Sequence, residues 1–173
     1  MPSDYLPLSR DPVPVTVAGV LLPLPYRPAA VWARALDRPE SLAATLAAPE
    51  QRETLADLIL ERPGAMEDLR RESLRILGEA TGRPWWESAR LLNTSVAPEI
   101  LGRLVLAGVD AHARSVGEWC AAVYALCVKH ADEKGRLRFD FSLSIPPAGY
   151  EDEWDDGDDP AAIMASLGKL NGK

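Results

Sequence analysis

Along VPVTVAGVLLPLPY, residues 13–26, apolar positions alternate with their neighbours. Val13, Val15 and Val17 share one face, and Leu22, Leu24 and Tyr26 continue it beyond Ala18-Gly19. A period of two on both sides of a small turn predicts a short hairpin with one buried face. Pro12, Pro14, Pro23 and Pro25 lack the N–H that a central strand needs. Each strand is therefore an edge at best, and the segment either pairs as a hairpin or lies as an extended arm.

From Pro28 onward the spacing of apolar residues changes to three and four. Pro28, Pro39, Pro49, Pro84 and Pro98 each precede a helix-forming run, where the missing N–H costs nothing. Short helices are expected near 28–37, 39–47 and 49–61. A longer one runs from Ala65 to about Ala80 and stops at Thr81-Gly82, with Met66, Leu69, Ile76 and Leu77 as its apolar stripe. Its other face, EDLRRES, pairs Glu67 and Asp68 with Arg71 at three- and four-residue spacing and reads as a solvated surface. Two short apolar helices follow, over 83–92 and 98–110. In SVGEWCAAVYALCVKH, 115–130, Ser115 and Glu118 form a capping box. Val116, Trp119, Cys120, Val123, Cys127 and His130 then line one core face. A last helix over DEKGRLRFDFSL is expected to be interrupted or bent at Gly135, and IPPAGY ends regular structure.

The fold class is therefore mainly α: a compact multi-helix body over 13–149 with an N-terminal hairpin or arm. Residues 1–12 read as a flexible start. Residues 150–173 read as a disordered acidic tail, with room for a short helix over PAAIMASLGKL. Charge sharpens this division. The chain of 173 residues carries net charge −7, but residues 151–173 alone carry −5, which leaves −2 for the remainder. Seven of the nine residues from Glu151 to Asp159 are carboxylates, with Trp154 in their midst. Such an end repels phosphate backbones and anionic lipid, so neither nucleic acid nor membrane is an expected partner. No apolar stretch is long enough to span a bilayer, since Val13–Leu24 is short and broken by Pro14, Gly19 and Pro23.

Candidate chemistry is sparse. Cys120 and Cys127 lie about 10 Å apart along one helix, too far for a disulfide and for a shared zinc ion. Cys127 and His130 are close enough in register to touch, but no orienting carboxylate or oxyanion hole accompanies them. The S-x-x-K at 166–169 has no companion motif. Setting Gly157 at the glycine of a calcium loop puts Trp154 and Ile163 where ligands belong. No catalytic residue, metal site or cofactor is expected. Trp85 and Trp86 point about 100° apart on a helix, so one ring is expected in the core and the other at a boundary. The candidate partner-binding residues are Trp85, Trp86 and Trp154 with Glu151, Asp152, Glu153, Asp155, Asp156, Asp158 and Asp159.

Three stretches carry a resemblance: LPYRPAAVW (24–32), GRPWWESARLL (82–92) and 99–160, which contains WCAAVYALC and PPAGYEDEWDDGDD. The chain resembles the tail assembly chaperones of long-tailed phages and prophages of actinobacteria, most strongly from Arg83 to Pro160. The resemblance implies a non-enzymatic role in the host cytoplasm. Many copies coat the tape-measure protein, keep it soluble, present it to tail-tube subunits and depart before the virion is complete. It further implies a longer frameshift product of the same gene as a partner, this chain being the shorter one. The competing expectation is an acidic decoy that occupies a basic site on a host nucleic-acid-binding protein.

Overall fold

A computed structural model describes residues 12–35 and 38–150. Strands β1 (Val13–Val17) and β2 (Val20–Leu24) pair antiparallel, with Val15 opposite Leu22 and Val17 opposite Val20. The hairpin, not the arm, is formed. Its two-residue turn places Ala18 at φ 50 and Gly19 at φ 79, the double left-handed conformation that matches strand twist. Val15, Val17, Leu22 and Leu24 are buried on one face. Pro14 and Pro23 face each other at a position where neither residue donates across the ladder, so both prolines are accommodated without loss.

Eight α-helices follow among the described residues: α1 (Ala29–Arg34), α2 (Leu42–Leu46), α3 (Pro49–Glu61), α4 (Ala65–Thr81), α5 (Trp85–Ser95), α6 (Pro98–Leu106), α7 (Val116–Val128) and α8 (Glu133–Ser144). The expected 39–47 helix is a 3₁₀ turn, Pro39–Ser41, running into α2. Helix α4 is the hub and packs against β1, the 3₁₀ turn, α2, α3, α5 and α7. Its buried side is Ala65, Leu69, Ser73, Leu74, Ile76 and Leu77. Met66 has the right angular position for that stripe but is 60% exposed, although Ala65 beside it is fully buried. Ser73 is fully buried for a polar reason: its Oγ accepts the Ala43 N–H and caps the first turn of α2. Backbone carbonyls do the same for α1, where Ala29 and Ala30 donate to Arg114 and Ala111.

The charged side of α4 corrects the sequence reading of a merely solvated face. Among the described residues, β1 has no strand but β2 to pair with, and α4 satisfies its outer edge with side chains. Thr16 N–H donates to Glu72 Oε2 at 2.9 Å, Ala18 N–H donates to Asp68 Oδ2 at 2.9 Å, and Arg75 donates to the Pro14 carbonyl at 2.7 Å. Arg62, just before α4, donates to the Ala18 carbonyl. Arg71 pairs with Asp68 at 2.6 Å, as its spacing implies, whereas Glu67 turns to Arg70 at 3.8 Å instead of Arg71. On the opposite edge of the hairpin, Gln51 of α3 donates to the Pro23 carbonyl at 2.6 Å.

Two later expectations also change. Helix α7 keeps its capping box, with Ser115 N–H donating to Glu118 and Glu118 N–H to Ser115 Oγ. It ends at Val128, however, so His130 lies in an exposed turn beyond the core face. Gly135 does not interrupt α8. It belongs to the first turn, where its N–H donates to the capping Asp132 Oδ1 at 2.7 Å, and an added Cβ would sit 3.0 Å from that oxygen.

Asp68 is held below the usual carboxyl range, chiefly by the Ala18 N–H and then by Arg71. For Glu72, burial opposes ionisation, but the hydrogen bonds from Arg75 and Thr16 outweigh it and the net shift is downward. Depressed folded-state values stabilise the fold fully above the unfolded value of about 4, and that contribution is lost as pH falls through the folded values. Glu72→Ala is expected to cost about 1–2 kcal/mol at neutral pH. Asp68→Asn with Glu72→Gln is expected to flatten the loss of stability below about pH 4. Urea unfolding across pH reads both.

Candidate functional site

Helices α4 and α5 meet at a tight corner. Gly82 ends α4 at φ 66, and its N–H donates to the Gly78 carbonyl at 2.8 Å. Gly78 is needed there too: a Cβ would lie 3.2 Å from the Arg83 carbonyl oxygen. Pro84 then sets the start of α5, and the two tryptophans diverge as their spacing requires.

Trp86 is the buried ring, at 5% exposure, and its indole N–H donates to the Ser144 carbonyl at 3.2 Å. One turn later, Arg90 donates to the carbonyls of Ser142 and Leu143 at 2.9 and 2.7 Å. This pair, i and i+4 on α5, satisfies three of the carbonyls that the C-terminus of α8 leaves without helical partners. The end of α8 is thereby fixed on α5. From there the chain turns at Gly149, φ 88, and Tyr150 N–H donates to the Pro147 carbonyl.

Tyr150, which the sequence places at the head of the tail, packs on the body. Its ring meets Trp85 edge-on at 5.0 Å and 74°, and its hydroxyl accepts from Arg70 at 2.9 Å. Trp85 in turn meets Trp86 at 5.9 Å and 83°. The half-buried Trp85 keeps its indole N–H enclosed without an acceptor among the described residues. Together with Leu74, Gly78 and Arg83, these residues line an open groove of about 570 Å³. The Arg83 guanidinium lies 4.8 Å from the centre of the Tyr124 ring and pairs with Glu87.

A second surface lies on α6. Leu104 is its buried residue, while Leu101, Val105 and Leu106 are 43%, 65% and 89% exposed and Val96 beside them is 56% exposed. Gly102 is open to its surroundings: a methyl group added at its Cα would meet no heavy atom within 4 Å.

Of the residues singled out from sequence, Trp85 and Trp86 stand at this corner and both line the groove, Trp85 half-buried and Trp86 buried. Trp154 and the carboxylates Glu151, Asp152, Glu153, Asp155, Asp156, Asp158 and Asp159 lie outside the described residues. Sequence reasoning misses Tyr150, Arg70 and Arg90, because their partners are 52 to 80 positions away and leave no local signal. The α6 surface does carry one, since PEILGRLVLAG is apolar around most of its circumference.

Cys120 is buried in the core, and burial pushes its thiol up to about 12, with Arg83 opposing weakly. Burial also raises the half-buried Cys127. His130 lies in an exposed turn past the end of the helix that carries them. Among the described residues, no three His, Cys, Asp or Glu side chains gather as a metal would require. Also among these residues, no helix is long and apolar enough to cross a membrane. Comparison with known proteins yields no matching family model, no matching curated protein and no matching solved structure.

Two outcomes are expected. Iodoacetamide at neutral pH should leave Cys120 unmodified in the native protein and alkylate it only on denaturation, as peptide mass mapping would reveal. Arg90→Met should leave the α8 carbonyls short of a charged donor and lower stability by about 1–3 kcal/mol in chemical unfolding.

Proposed function

We propose that the protein is a tail assembly chaperone that binds the tape-measure protein, keeps it soluble and assists tail-tube polymerisation in the host cytoplasm. The identity of the partner rests on the sequence resemblance. What supports a binding role in the structure is one observation, the outward apolar side of α6 formed by Leu101, Val105 and Leu106 around Gly102. A side-chain-free position flanked by branched apolar residues lets a second helix approach closely and shed water from its own apolar stripe. Binding by apolar contact along a helix tolerates variation in the partner's sequence, as a long tape-measure coil demands. The longer frameshift product and the tail-tube protein are further partners in this proposal, and the acidic end keeps neighbouring complexes apart by repulsion.

The test is co-expression with a tape-measure polypeptide followed by affinity purification. Wild-type protein is expected to co-purify and to keep the tape-measure chain in the soluble fraction. Leu101→Asp with Val105→Asp, both exposed, should leave the circular dichroism unchanged and reduce co-purification at least tenfold, about 1.4 kcal/mol of binding. Absence of any association between the wild-type chains would overturn the proposal.

A further inference from the structure

The geometry points to the α4–α5 groove as a binding site for an acidic, tryptophan-bearing peptide, and to this chain's own residues 151–159 as its occupant. Three features carry this independently of the chaperone reading. The first is position: Tyr150 is held at the groove by Trp85 and Arg70, so the next residue begins at the rim. Reach is the second. Trp154 follows Tyr150 by four residues, a span of at most about 14 Å, which covers the groove and does not carry the ring far beyond it.

Charge is the third. Arg75 is engaged by Glu72, Glu79 and the Pro14 carbonyl, and Arg83 by Glu87. Arg70 and Arg71 are different. Their side chains are 47% and 63% exposed, and each guanidinium has five N–H donors, most of them unused by Glu67, Tyr150 or Asp68. The acids of the groove wall are Glu67, paired with Arg70, and Glu79, paired with Arg75, against four arginines in the same lining. The seven carboxylates of Glu151–Asp159 supply the opposite sign directly beside them.

Shape agrees. A groove of about 570 Å³ falls in the range that encloses a small aromatic ligand. Its floor is Leu74 and Gly78, its aromatic wall is Trp85, and an indole laid edge-on to Trp85 repeats the arrangement that Trp86 and Tyr150 already adopt. In the docked state proposed, Trp154 occupies the groove and the neighbouring acids face Arg70 and Arg71.

The full-length protein labelled with ¹⁵N tests this through its tryptophan indole resonances. At low salt, about 0.01 M, the Trp154 indole signal is expected away from its random-coil position, and Trp154→Ala should shift the Trp85 signal. Raising salt to about 1 M, or introducing Arg70→Glu with Arg71→Glu, should return Trp154 toward random coil. Both substitutions are on an exposed face, and unchanged Trp86 and Trp119 signals would verify that the fold is intact. A random-coil Trp154 at low salt, or a Trp85 signal indifferent to Trp154→Ala, would overturn the proposal. So would a Trp154 shift that grows with protein concentration, since the occupant would then belong to another copy.

Discussion

Among the described residues the hairpin has no third strand, and the fold depends on how that is resolved. A two-stranded ribbon is marginal by itself, because its outer groups lose water without gaining partners when the ribbon packs on a body. Helix α4 replaces the missing strand with side chains. Glu72 and Asp68 accept the N–H groups of Thr16 and Ala18, and Arg75 and Arg62 donate to the carbonyls of Pro14 and Ala18. The two acceptors, Asp68 and Glu72, lie between the two donors, Arg62 and Arg75, and the strand edge answers in the same order, a carbonyl at each end with two N–H groups between. With the ribbon fastened, Val15, Val17, Leu22 and Leu24 are pressed into the core that α4, α5 and α7 share.

The same logic recurs at the other end of the molecule. Helix α8 has few buried residues of its own, with Leu143 the one fully enclosed. What fixes it is the donor pair Trp86 and Arg90, which meets its terminal carbonyls. Fixing the end of α8 sets the path of the residues that follow Ser144, and that path delivers Tyr150 to Trp85 and Arg70. The groove is thus a by-product of helix capping: a tight glycine corner, a pair of diverging indoles and a returning tyrosine.

Periodicity makes the hairpin legible, along with the helix starts at the prolines and the Ser115–Glu118 box, because those signals are local. It also allots one tryptophan to the core and one to a boundary. It misses wherever a side chain works at long range. Nothing in EDLRRES distinguishes a solvated face from one that completes a strand edge, since Glu72 and Thr16 are remote in sequence. Met66 and His130 fit their stripes in angle, but α7 ends at Val128 before it reaches His130, and Met66 stays exposed beside a buried Ala65, outcomes that angle alone does not encode. Gly135 reads as a break because glycine weakens helices in general; here it clears space for Asp132 to cap. The groove is half legible, through Trp85 and Trp86, and its Arg70–Tyr150 half is not.

The outer margin of β2 has one more implication. By the register of the ladder, Leu21 and Pro23 turn their main-chain groups away from β1. Pro23 has no hydrogen to offer, and its oxygen is already taken by Gln51. Among the described residues that leaves only Leu21, a single rung, and one rung is a poor template for the stacking of foreign strands. A valine- and leucine-rich ribbon that would otherwise seed amyloid is sterilised by one imino acid and one amide.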